Sequence, residues 1–81
     1  MNIQELSNQL TINNIPSSWY SLSGGYPNEA YCLSYENSEW IVYYSERGTR
    51  SILGRFNYES DACEFFFHKV LNEFHKYHNH R

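Results

Sequence analysis

Two different spacings of apolar residues run along this chain and divide it into regions. Near the start, Ile3, Leu6, Leu10 and Ile12 recur at helical spacing. That pattern predicts a short helix over residues 1–10, inside a helical N-terminal segment of residues 1–16. Asn13-Asn14 interrupts it, and Pro16 disfavours helical backbone at Ile15. Residues 17–22 read as a first strand. Gly24-Gly25 followed by Tyr26-Pro27-Asn28 is turn chemistry, because glycine accepts positive φ and proline fixes its own.

The middle of the chain has a period of two. Over residues 30–35, Tyr31, Leu33 and Tyr35 fall on one face and Ala30, Cys32 and Ser34 on the other. Glu36-Asn37-Ser38-Glu39 is a polar loop of hairpin length. Trp40-Ile41-Val42-Tyr43-Tyr44 is aromatic or β-branched throughout, apolar on both faces as a central strand should be. Glu46-Arg47-Gly48-Thr49 forms the next turn, with Gly48 at positive φ. Residues 51–56 make a fourth strand, weakened at Gly54. Loops this short predict an antiparallel meander.

After Phe56 the period becomes 3.6. Asn57 is the expected N-cap, with Glu59, Asp61 and Glu64 near the first turn, where negative charge suits the helix dipole. Cys63, Phe66, Phe67, Val70, Leu71, Phe74 and Tyr77 form one broad stripe, with Phe65 off its centre. Each large side chain buried there contributes roughly 1.5–3 kcal/mol. The expected fold is therefore α+β: a short N-terminal helix, a four-stranded antiparallel meander, and a long C-terminal helix packed on one sheet face. Residues 76–81 form a frayed, histidine-rich tail.

Composition narrows the function classes. Eighty-one residues make one small domain with little room for a deep substrate cleft. Fifteen aromatic residues argue against disorder. The net charge of −3 is the wrong sign for non-specific binding to nucleic acid or anionic membrane. No apolar run approaches a membrane span, and the first ten residues lack the basic and apolar regions of a signal peptide. Cys32 and Cys63 lie in apolar runs and read as buried reduced thiols, which fits an expected cytoplasmic location.

Candidate chemistry is sparse. His75 and His78 are spaced i, i+3 and, with His68 and His80, invite a metal reading, but a helix end fixes coordination geometry poorly. Glu36, Glu39 and Glu46 lie in turns or at strand ends, where carboxylates are solvated rather than tuned for acid–base work. No nucleophile elbow, phosphate loop or zinc-protease spacing occurs. The domain is expected to be non-enzymatic and to use no cofactor or metal. Two binding readings follow. In the first, acids at the hairpin ends (Glu29, Glu36, Glu39, Glu46) steer a basic protein partner, and Tyr43 and Tyr44 anchor it. In the second, Trp40, Tyr43 and Tyr44 stack bases while Arg47, Arg50 and Arg55 meet phosphates, as in a small nucleic-acid-binding regulator.

Four stretches together resemble a known family. They are Trp19-Tyr20-Ser21-Leu22 with Gly24-Gly25, Asn28-Glu29-Ala30-Tyr31-Cys32-Leu33, Trp40-Ile41-Val42-Tyr43-Tyr44-Ser45-Glu46-Arg47-Gly48, and Phe56 with Glu59, Ala62, Cys63 and Phe66. The pattern covers roughly residues 19–71 and is similar to small bacterial immunity proteins, the cognate inhibitors encoded beside polymorphic toxins, contact-dependent growth inhibition toxins among them. The resemblance implies a cytoplasmic inhibitor that covers the active site of one toxin domain, often a nuclease, or a surface next to it. It points to Asn28, Glu29, Tyr43, Tyr44, Glu46 and Arg47 as matching positions. Tyr58 and the histidine-rich tail depart from the pattern. With the charge argument, the expected partner-binding set is Glu29, Glu36, Glu39, Tyr43, Tyr44, Glu46 and Arg47.

Overall fold

A computed structural model describes residues 1–79; His80 and Arg81 of the tail lie outside the described residues. Helix α1 spans Ile3–Ile12 and opens on a capping box: Asn2 accepts from the Glu5 amide, and the Glu5 carboxylate accepts from the Asn2 amide, each at 2.8 Å. It ends where Asn14 takes φ of 61°, with Asn14 N–H bonded to the Thr11 carbonyl and Ile15 N–H to that of Leu10, both at 3.0 Å. That is a Schellman ending with asparagine in the left-handed position. It turns the chain so that Ile15 is buried in one cluster with Leu6 and Leu10.

A single 3₁₀ turn at Ser17–Trp19 leads into β1, which is only Tyr20–Ser21. Strands β2 (Ala30–Glu36), β3 (Glu39–Glu46) and β4 (Thr49–Phe56) follow, then helix α2 (Glu59–Asn79). The order across the sheet is β1-β2-β3-β4. Both hairpins close on two residues in positive φ, Asn37 and Ser38 in the first, Arg47 and Gly48 in the second. Such turns match the right-handed twist of the strands they join.

The expected all-antiparallel meander requires correction at its first strand. β1 pairs with β2 in parallel, so the sheet is mixed. Residues 22–29 do not form a hairpin; they cross the sheet and bring β2 in at the same end as β1. The strand expected over residues 17–22 shortens to two residues because the 3₁₀ turn takes residues 17–19. The expected cap is also displaced. The first helical bond of α2 runs from Ala62 N–H to the Tyr58 carbonyl, which puts Tyr58, not Asn57, at the cap position. Glu59 instead accepts from the Ile3 amide at 2.9 Å, joining the starts of the two helices.

The helix stripe behaves as its periodicity predicts. Ala62, Cys63, Phe66 and Val70 are fully buried with Leu33 and Val42 of the sheet and with Leu6 and Leu10 of α1. Phe67, Leu71 and Phe74 flank this core, and Tyr77 stands exposed at its end. A bulge between Val42 and Tyr43 leaves Leu53 as the extra residue of β4, and Leu53 packs against the same core. Gly54 allows Phe56 and Phe65 to lie over the strand, since a Cβ there would meet the Phe56 ring at 2.8 Å. The off-centre Phe65 is at the margin, packed on Phe56 at 5.2 Å between ring centroids. Both cysteines are free and buried, Cys63 in this core and Cys32 in a small second cluster with Ile41 and Tyr43. Among the described residues no helix is long and apolar enough to cross a membrane.

Phe66 sits at the centre of the stripe with no exposed surface. Phe66→Ala is expected to lower the unfolding free energy by roughly 3–5 kcal/mol in a denaturant titration. Phe65→Ala, at the margin, should cost clearly less.

Candidate partner-binding groove

Strand alternation divides the seven expected contact residues between two surfaces. The register pairs Tyr31 with Tyr44 and Cys32 with Tyr43, so the two adjacent tyrosines of β3 face opposite sides of the sheet. Tyr44 lies on the α2 side and Tyr43 on the far side.

On the far side, the loop after β1 folds over the sheet. Gly24 carries φ of 76°, and a Cβ on it would sit 3.0 Å from that of Ser34. This close approach lets the Tyr43 hydroxyl donate to the Gly25 carbonyl at 2.6 Å. The Arg50 guanidinium covers the Tyr43 ring at 4.8 Å from its centroid and donates to both oxygens of Glu36, at 2.7 and 2.9 Å. Ser34 donates to the same carboxylate at 2.6 Å. Beside them Arg55 donates to Glu39 at 2.9 Å. Tyr43 is 1% exposed, which corrects its expected role as a contact anchor. Its hydroxyl and ring are both occupied within the fold. Glu36 and Glu39 keep some exposure, but their charges are matched by Arg50 and Arg55.

This far face also bears on the nucleic-acid reading. Trp40 points to the α2 side, packed on Tyr35 at 4.8 Å, and Tyr43 to the other, so they form no common stacking platform. Arg50 and Arg55 are taken up by carboxylates. Arg47, exposed in the second turn, is left apart from them.

Of the remaining expected residues, Glu29 and Tyr44 line a groove on the α2 side, where the C-terminal half of α2 passes over the ends of β2 and β3, while Glu46 and Arg47 lie exposed at the second hairpin outside it. The groove is open, about 820 Å³, and is lined by Trp19, Asn28, Glu29, Tyr31, Tyr44, Glu73, Lys76 and Tyr77, with Ser18 at its edge. Each wall has a local cause. The 3₁₀ turn presents Trp19 edge-on to Phe74 and Tyr77, at 5.2 and 5.8 Å between centroids. Cross-strand pairing sets the Tyr31 and Tyr44 rings 4.9 Å apart. The Asn28 side chain accepts from the Arg47 amide at 3.2 Å, tying the approach to β2 to the second hairpin turn. Glu29, at φ of 57°, follows directly in the groove wall.

The groove is electronegative. Burial, then Glu73, then Tyr44 push the Tyr31 phenol up to about 12. Tyr44 is also raised, by burial first and then by Glu29 and Glu46. Glu73 is matched by Lys69 at 3.7 Å and Lys76 at 3.3 Å. Among the described residues Glu29 and Glu46 take part in no ion pair.

Seven lining residues lie outside the expected contact set: Ser18, Trp19, Asn28, Tyr31, Glu73, Lys76 and Tyr77, of which Asn28 is one of the positions matched by the resemblance. Tyr31 was within reach, because counting back from the two-residue Asn37–Ser38 turn pairs it with Tyr44. Trp19, Glu73, Lys76 and Tyr77 depend on where α2 passes over the sheet. At the helix end, the His78 ring packs tilted against Phe74 at 4.1 Å between centroids, and His75 is exposed. Among the described residues no three histidine, cysteine, aspartate or glutamate side chains stand together as a metal site. Compared with protein-family models, curated proteins and solved structures, the chain finds no match.

Two tests address the far face. Tyr43→Phe removes the bond to Gly25 and is expected to cost about 1 kcal/mol of stability, read by thermal or chemical unfolding. Arg50 and Ser34 hold the Glu36 carboxyl down to about 2, from an ordinary value of 4.5. Since the folded value is the lower one, the ion pair stabilises fully above pH 4.5 and that contribution fades as pH falls through about 2. The stability gap between the wild type and Glu36→Gln should therefore shrink over that window in acid-unfolding curves.

Proposed function

We propose that this domain is an inhibitor of the immunity-protein kind, binding a cognate bacterial toxin domain and covering its active site or an adjacent surface. The supporting observation is the groove on the α2 side, where Glu29 lines the wall beside the paired rings of Tyr31 and Tyr44 and Glu46 follows Tyr44 on the same strand face, neither carboxylate in an ion pair among the described residues. A nuclease must be basic where it holds the phosphate backbone, so an acidic and aromatic surface is complementary to it. Aromatic side chains supply the buried anchors of tight interfaces, and rim carboxylates speed encounter with a basic partner. The sequence resemblance to immunity proteins points the same way, and Asn28, Glu29, Tyr44, Glu46 and Arg47 of its matching positions cluster at this end of the sheet.

On this reading the domain works by occupancy and transforms nothing. Its partner is a basic toxin domain, with a nuclease the leading class, and its site of action is the cytoplasm of the cell it protects. The far face has a different role: the Tyr43 hydroxyl holds the crossing loop at Gly25, and matched charges tie the strands beside it.

Co-expression with the toxin domain encoded beside it should rescue growth and give a copurifying complex. Glu29→Lys with Glu46→Lys should slow association at low salt by about tenfold or more while leaving the melting temperature near wild type. Glu36→Lys should instead lower the melting temperature, since it sets a like charge against Arg50. Absence of both rescue and complex would end the inhibitor reading.

A further inference from the structure

The far face holds a complete example of the chemistry that the groove holds in part. There, one guanidinium lies over a tyrosine ring at 4.8 Å and makes two hydrogen bonds to one glutamate. In the groove, tyrosine rings and glutamates are again neighbours, but among the described residues no arginine lines it. Lys76, the lining cation among the described residues, is three-quarters exposed and bonded to Glu73, so Glu29 in the groove wall and Glu46, two residues beyond Tyr44 on the same strand face, have no ion pair among the described residues.

We infer that the groove is a receptor for an arginine side chain of the partner, the guanidinium stacking on the Tyr31–Tyr44 pair and bonding to Glu29 and Glu46. Naming the partner's protein rests on the inhibitor reading above; the cation chemistry rests on the groove. Arginine fits better than lysine because its planar, weakly hydrated head can stack on an aromatic face and meet a carboxylate with two parallel bonds. An anionic ligand such as a nucleic-acid strand would meet uncompensated carboxylates.

Size supports a side chain delivered on a protein segment. About 820 Å³ is in the range of whole ligand sites, well beyond one guanidinium, and the groove is open rather than enclosed. Trp19 and Tyr77, packed edge to face in the groove wall, supply apolar surface for residues flanking the arginine.

The two tryptophans make the test internally controlled. Trp19 is a groove wall, and Trp40 sits four residues along β3 from Tyr44, packed against Tyr35 instead. The indole N–H resonances are followed by NMR while blocked hexa-arginine, hexa-lysine or hexa-glutamate peptide is added to the full chain. Hexa-arginine should move the Trp19 resonance saturably and leave that of Trp40 in place. Hexa-lysine should bind several-fold more weakly, and hexa-glutamate should cause no shift. Glu29→Gln with Glu46→Gln, both at exposed positions, should weaken hexa-arginine binding at least fivefold; Tyr44→Leu, which keeps bulk but loses the π face, should weaken it several-fold. Equal shifts at both tryptophans, unaltered affinity in the double glutamine variant, or hexa-lysine binding as tightly as hexa-arginine would each overturn the assignment. The outcomes separate the two proposals. Peptide binding without neutralisation of any toxin leaves the arginine site standing and removes the inhibitor reading. Normal toxin binding by the double glutamine variant does the reverse.

Discussion

The placement of α2 is the constraint on which the rest of this domain depends. Its buried face, Ala62, Cys63, Phe66 and Val70, meets Leu33 and Val42 on the sheet and Leu6 and Leu10 on α1 in one continuous core. A chain this short has no second large core to share the load. With that contact made, the helix direction is set, and its last turns must pass over Tyr31 and Tyr44. Glu73, Lys76 and Tyr77 become groove walls because Phe66 and Val70 are core.

The two faces of the sheet use similar residues to different ends. On the far face every carboxylate at hand has a guanidinium, and the Tyr43 hydroxyl is bonded to backbone. Charges matched in this way tie strands together and offer little attraction to a partner. On the α2 side Glu29 and Glu46 take part in no ion pair among the described residues. An unmatched charge beside an aromatic surface costs little while it is hydrated, and it becomes a source of affinity when a cation arrives. The division between structural and receptive charge follows from which glutamates face an arginine across the strands.

Much of the local structure was legible in the chain. The strands β2 and β3, both tight turns, the positive φ of Gly48 and the buried stripe of α2 all follow from interactions between near neighbours. Alternation, turn chemistry and helical periodicity are read within a few residues. Even the pairing of Tyr31 with Tyr44 was implicit once the Asn37–Ser38 turn was recognised. The cap of α2 was less legible, because Glu59 bonds to Ile3, a residue at the other end of the chain.

What the sequence by itself determined, then, is the kind and order of elements and the apolar face each presents. The tertiary structure alone decided that β1 runs parallel to β2, that Tyr43 is enclosed while Tyr44 is available, and that Glu36 and Glu39 are neutralised while Glu29 and Glu46 are not. The physical reason is the path of residues 22–29. By crossing the far face at Gly24 and Gly25, that segment covers one tyrosine and reverses the expected sense of the first strand. Its route depends on close approaches between distant residues, such as Gly24 against Ser34 and Gly25 against Tyr43, which no local pattern encodes.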